Sequence, residues 1–284
     1  MRESGYFPVG ESVLRHVHEQ RAVGLLYGQR ALLMQATDPV AFTGLIGQTT
    51  GLDAPFERLA RTAQAMESVY FGSRSEADRV TRRVRKMHAR VRGTTDRAAG
   101  PHPAGSPYAA DRPDMLLWIL GCLADSALSM YHWFVGSLSR EDLDRFWDDY
   151  LVVGGLFGLE REHAPASYRE FRDWYRGRLG SGELFVTDDA RDIGRRVAFA
   201  LPLPARRRAA LPAINLAVMG TLPPAVREMY RLPWTAAHDA AFRSLAIGTR
   251  LSRPIVPAAL KRGACSRDYE VVAREEAQRR GSVA

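Results

Sequence analysis

Apolar residues along this chain recur at helical spacing, and no run alternates with period two around a tight turn as a β-hairpin would. The pattern predicts helices over 13–35, 39–46, 55–71, 75–91, 113–135, 140–157, 167–179, 188–199, 205–219, 223–230, 235–249 and 267–279. Several starts carry side chains suited to the free N–H groups of a first helical turn. Asp38 precedes Pro39, Ser139 precedes Arg140-Glu141-Asp142, and Thr187 precedes Asp188-Asp189. The class is all-α, with one large multi-helix domain over 13–250 flanked by an N-terminal extension, 1–12, and a C-terminal extension, 251–284.

Two segments depart from the amphipathic norm. Residues 115–138 are long and apolar enough to cross a bilayer, with Asp125 the one acidic residue and His132 the one basic residue in it. An ionised Asp at mid-bilayer costs at least about 2.5 kcal/mol, which favours reading the segment as the central helix of a large core. No transmembrane segment is expected; peripheral membrane contact stays open. Residues 93–111, rich in Gly, Pro and Ala, read as a long loop over a site entrance.

Charge and cysteine content narrow the picture. The chain of 284 residues has 40 basic against 32 acidic residues, and all of the basic ones except Lys86 and Lys261 are arginine. From Arg74 to Arg97 nine basic residues face three acidic ones. That stretch could engage phosphates, but it carries a core stripe and lies in no recognisable DNA-reading motif, so no nucleic-acid partner is expected. Cys122 and Cys265 are too few for a disulfide framework. The N-terminal MRESGYFPVGESVL holds no apolar run that could act as a signal-peptide core, and the expected compartment is the cytoplasm.

The chain has no GxSxG elbow, P-loop, GxGxxG, HExxH or CxxC. Of seven histidines, His16 and His18 lie two apart on one helix and face different ways, a poor chelating pair and more simply surface or partly packed residues. His88 differs. Val80, Val84, Met87 and Val91 form a helical stripe with His88 at its edge, and Arg85 and Arg92 lie on its other side. Such a residue is either a hydrogen-bonded packing histidine or a haem ligand, with the arginines positioned for propionates. One helix earlier, Arg58, Arg61 and Thr62 share a face beside Phe56, Leu59, Ala63, Met66 and Tyr70. That face is either solvated or an anion- or oxygen-binding wall.

Taken together these segments resemble the latex clearing protein (rubber oxygenase) and MpaB-type oxygenases. The resemblance runs from Val13 to Trp234, through Gln29-Arg-Ala-Leu-Leu-Met-Gln35, Asp38-Pro39, Arg58-Leu-Ala-Arg-Thr62, Phe71-Gly72 and Arg85-Lys-Met-His-Ala-Arg-Val-Arg-Gly93. It continues through Tyr108, Asp114-Met-Leu-Leu-Trp118, Leu123-Ala-Asp-Ser126, Phe134, Leu138-Ser139 and Leu156-Phe-Gly158. It implies an all-helical fold around a b-type haem, with His88 as metal ligand. It further implies Arg58, Arg61 and Thr62 beside the haem, which with Arg85 and Arg92 from the spacing and His88 make the cofactor-binding set, and an oxidoreductase acting with O2 or peroxide on an apolar or natural-product-type small molecule.

Two positions depart from the family pattern. Many relatives read Trp-x-His where this chain has Trp118-Ile119-Leu120, and many have His before the early Pro where this chain has Asp38. Asp125, two turns from His132, could supply a replacement polar group, and it joins Arg61 and Thr62 as the candidate catalytic set. Glu67, Asp125 and Asp148 are equally placed as general bases. The alternative is a non-catalytic member of the same fold that binds a hydrophobic ligand.

Overall fold

The computed structural model describes residues 4–47 and 55–281. Its helices are α1 (Val13–His18), α2 (Arg21–Gln35), α3 (Pro39–Gly47), α4 (Pro55–Phe71), α5 (Arg74–His88), α6 (Pro113–Phe134) and α7 (Arg140–Phe157). They continue as α8 (Tyr168–Gly180), α9 (Asp188–Phe199), α10 (Leu211–Thr221), α11 (Pro224–Met229), α12 (Ala236–Ser252), α13 (Ala258–Lys261) and α14 (Ser266–Gly281). Only two short strands, β1 (Arg92–Thr94) and β2 (Pro107–Ala109), interrupt the helices among the described residues. The fold is all-α.

The expected caps are present. Asp38 Oδ1 accepts from the N–H groups of Val40 (3.0 Å) and Ala41 (2.9 Å). Ser139 accepts from Asp142 N–H at 3.0 Å, and Thr187 from Ala190 N–H at 3.1 Å. The helix expected over 13–35 is broken, because Glu19 C=O accepts from Gly263 N–H at 2.9 Å and Gln20, extended at ψ 119°, bridges to Arg262. A distant segment thus takes up the backbone groups that would have continued the helix. The stretch expected over 205–219 becomes a 3-10 turn at Ala205–Ala210 followed by α10, since Pro212 brings no N–H and fits only a first turn.

α6 is the central helix: it is packed against α2, α7 and α12, and most of it is buried. Trp118 stacks on Tyr175 at 5.6 Å and Trp147 on Phe171 at 4.2 Å, tying α6 and α7 to α8. Gly121 leaves room for those rings: a Cβ there would lie 3.0 Å from Trp174 and 3.2 Å from Phe171. The flanking segments belong to the same body, with Phe7 and Tyr269 both buried and Tyr269 Oη donating to the carbonyl of Gly24 at 2.9 Å.

Two polar clusters lie inside this apolar body. In the first, Arg30 donates through Nη2 to Asp125 Oδ2 at 2.7 Å, through Nη1 to Ser126 Oγ at 2.8 Å and through Nε to Thr221 C=O at 3.1 Å. Arg172 closes on the other Asp125 oxygen. In the second, His18 hydrogen-bonds Tyr150 at 2.8 Å and stacks on Tyr70 at 4.1 Å. The α1 row Leu14, Val17, His18 is buried as a unit, so His18 is a core residue and His16 remains partly exposed.

Burial lowers the His18 pKa from 6.5 to about 3, so the ring is neutral in the fold. The unfolded chain binds the proton more readily between those values, and stability is lost as pH falls below about 6.5, by about 1.4 kcal/mol per pH unit. Thermal unfolding followed from pH 7 to pH 4 should show this fall, and His18→Phe should flatten it. Asp125→Ala should destabilise the protein by about 3–5 kcal/mol in chemical denaturation, because it strands the buried Arg30 cation.

Candidate active site

His88 is the last residue of α5, and the way that helix is built decides where its ring points. Ser73 and Glu76 form a reciprocal cap at its start. Its inward face is the row Ala77, Thr81, Val84, His88, at helical spacing i, i+4, i+7, i+11, with the first two buried and the last two half-buried. Thr81 belongs to this row because its hydroxyl donates to the Ala77 carbonyl at 2.9 Å and leaves only the methyl to pack. The apolar stripe read from the sequence is therefore shifted: Val84 is shared, but Met87 is 54% exposed.

After His88 the chain turns at once. Val91 N–H donates to His88 C=O at 2.9 Å, and Val91 C=O accepts from Ala110 N–H at 2.9 Å, which starts the antiparallel β1–β2 pair. The loop expected over 93–111 is this hairpin. Tyr108 sits between two glycines: a Cβ on Gly93 would lie 2.8 Å from its hydroxyl and one on Gly44 of α3 would lie 3.1 Å from its ring. The glycines thus bring α3 and the hairpin together beside the end of α5. Arg92 is tied in this frame, donating to Asp111 at 2.7 Å and to Ala89 C=O at 3.1 Å.

The electrostatics of His88 are specific. Burial lowers its pKa, the Arg58 cation lowers it further, and the Asp111 carboxylate acts the other way. The outcome is a neutral imidazole. Its Nδ1 is buried and has no hydrogen-bond partner among the described residues. A buried ring nitrogen in that condition fits a lone-pair donor to a metal ion better than a packing residue, which would be satisfied by a neighbour. A haem iron held by one neutral histidine fits that donor chemistry.

The other sequence candidates are dispersed. Arg58 is half-buried on α4 and lies in the electrostatic field of His88. Arg61 and Thr62, one turn on, are exposed, and Arg61 pairs with Glu57 at 2.8 Å. Arg85 is exposed; its stem runs beside Gly158, the left-handed cap of α7 at φ 99°, in a groove of about 290 Å³ with Asp78, Thr81, Arg82, Gly155 and Leu156. Asp125 is held between Arg30 and Arg172, while His132 is exposed, so the two do not form one network. Glu67 accepts from the N–H of Cys265, and Asp148 is exposed.

Asp38 and Leu120, the two departures from the pattern that the resemblance implies, have structural contacts here. Asp38, besides capping α3, accepts from Arg178 Nη2 at 2.8 Å, and the Arg178 guanidinium lies 5.9 Å from the Trp118 ring centroid. Leu120 packs against α7, 3.0 Å from where a Cβ on Gly154 would be. Composition and spacing missed Asp111 and Tyr108 as parts of the His88 frame, because the hairpin that delivers them has strands of only three residues. Their signal is the Gly93 and Gly44 pair, which becomes legible only once the ring between them is seen.

A family described as ER-bound oxygenase mpaB/B'/rubber oxygenase, catalytic domain, matches residues 15–251. Uncharacterized protein Rv2237 of Mycobacterium tuberculosis is 26% identical over 206 residues, covering 72% of this chain and 76% of its own. Uncharacterized protein Mb2261 of Mycobacterium bovis is similar to the same extent, 26% over 206 residues with the same coverage. No solved structure matches the chain.

The two neighbours of His88 should move its titration in opposite directions. In an NMR titration, Arg58→Ala should raise the His88 pKa by removing a nearby cation, and Asp111→Asn should lower it by removing the anion and freeing Arg92. Unchanged values in both variants would contradict the electrostatic account.

Proposed function

The chain belongs to the ER-bound oxygenase mpaB/B'/rubber oxygenase catalytic-domain family, and from that premise we propose that it is a haem-b-dependent oxygenase or oxidase with His88 as the iron ligand. The observation that carries the reading is the buried Nδ1 of a neutral His88, without a hydrogen-bond partner among the described residues, beside a half-buried Arg58. When bound, the haem would supply redox activation of O2 or peroxide. The chain's own residues do the rest.

His88 offers an uncharged imidazole, the form that binds iron, and burial together with Arg58 keeps it in that form. Arg58 places a partly desolvated cation where a carboxylate edge of the cofactor could be met. Arg92 pairs with Asp111 and holds the hairpin, with Tyr108 wedged between Gly44 and Gly93, so the backbone that follows His88 is fixed in place. Arg61 and Thr62 lie on the solvent side of α4 and fit contacts at the rim of the site. Arg85 lies toward α7 and Asp125 within its ion pairs, so both support the helices that carry the site. Met87, exposed beside His88, suits an apolar or natural-product-type substrate.

Protein produced with ample haem should show a Soret band near one haem per chain that shifts on reduction and addition of carbon monoxide. His88→Ala should lose that band while its circular dichroism stays unchanged. An absence of haem uptake by the wild-type chain, with binding of a hydrophobic ligand instead, would assign it to the non-catalytic reading. In that case Asp38 and Leu120 mark a site given over to structure.

A further inference from the structure

Eight large apolar side chains remain well exposed among the described residues, and four of them belong to one short segment near the C-terminus: Ile247, Leu251, Ile255 and Leu260. Ile247 and Leu251 are one turn apart on α12, and Ile255 follows one turn later in the 3-10 turn that extends it. The three thus form a continuous row, exposed by 58%, 75% and 85%. Gly248, beside the row, has open space where a side chain would be. Opposite this row Phe242 and Ala246 are buried, so the helix is anchored by one side and presents an apolar ridge on the other.

The segment that carries the ridge has charge of one sign. Between Asp239 and Asp268 the sequence contains no acidic residue and six basic ones: Arg243, Arg250, Arg253, Lys261, Arg262 and Arg267. Arg243 is paired with Asp239 and Arg262 with Glu19. Arg250 and Arg253 donate to uncharged acceptors, His132 C=O and Gln20 Oε1. Neither they nor Lys261 has a carboxylate within ion-pair distance among the described residues. A partner protein with an apolar groove would need no such surplus of positive charge. An anionic bilayer accounts for both features, since projecting aliphatic side chains enter the acyl boundary while arginine and lysine meet lipid phosphates.

We propose that the Ile247–Leu251–Ile255 ridge, with Arg250, Arg253 and Lys261, docks the protein peripherally on anionic phospholipid membranes. The surface is built from α12, the following 3-10 turn and α13, and it is independent of the haem reading. A site that takes up an apolar small molecule gains from being held where such molecules partition.

The full chain is tested by co-sedimentation with phosphatidylcholine vesicles made with and without phosphatidylglycerol. The wild type should partition onto the anionic vesicles only, and added salt should weaken the binding. The triple variant Ile247→Ser, Leu251→Ser, Ile255→Ser should lose about tenfold or more of that partitioning, and Arg250→Gln with Lys261→Gln should lose a smaller share. Circular dichroism verifies that both variants fold. The proposal is overturned if the wild type stays in solution with both vesicle types or if the folded triple variant binds as well as the wild type. Light scattering that shows a dimer which the triple variant disrupts would assign the ridge to a second copy of the chain, and would also overturn it.

Discussion

The buried cation of Arg30 is the constraint around which this fold is organised. A guanidinium nearly out of reach of water must have its charge and its donors met inside the protein, and two helices supply the acceptors. Asp125 and Ser126 come from α6, and the Thr221 carbonyl ends α10. Arg172 of α8 then meets the second oxygen of Asp125. One polar knot thereby fixes the relative positions of α2, α6, α8 and α10, which apolar packing alone would let slide, since hydrophobic contact is not directional.

A second knot does similar work at the edge of the core. Asp38 caps α3 and binds Arg178, whose guanidinium also approaches Trp118. This sets the start of α3 against α6 and α8, and α3 in turn brings Gly44 to Tyr108 of the hairpin that follows His88. Structure therefore leads to chemistry through a short chain of contacts: ion pair, helix position, hairpin position, imidazole environment. Asp38 and Leu120, the two departures from the pattern that the resemblance implies, are committed to capping and packing here.

The fold was legible in the sequence to the extent that local physics decides it. The caps at Asp38, Ser139 and Thr187 form as their side chains require, and the apolar segment holding Asp125 is the buried central helix. What long-range partners decide was not legible. Glu19 and Gln20 leave the helix because residues 262–263 pair with them, and the strands at 92–94 and 107–109 are too short to produce an alternating pattern. At the site, the position of His88 at the end of an amphipathic helix was readable, but the identity of its row was not. Thr81 hides its hydroxyl on the backbone and becomes core, whereas Met87 reads as core and stands exposed. His18 shows the same blindness: its row with Leu14 and Val17 is plain in the sequence, yet only the surrounding tyrosines show that a histidine can be buried there.

The most direct test of the central claim, that His88 donates to iron, is the resonance Raman spectrum of the ferrous, haem-loaded protein. The account predicts an iron–histidine stretching band in the wild type. It also predicts loss of that band in His88→Gly, with its return when free imidazole is added to fill the space. A band that persists in His88→Gly without imidazole would place the ligand at another residue and contradict the assignment.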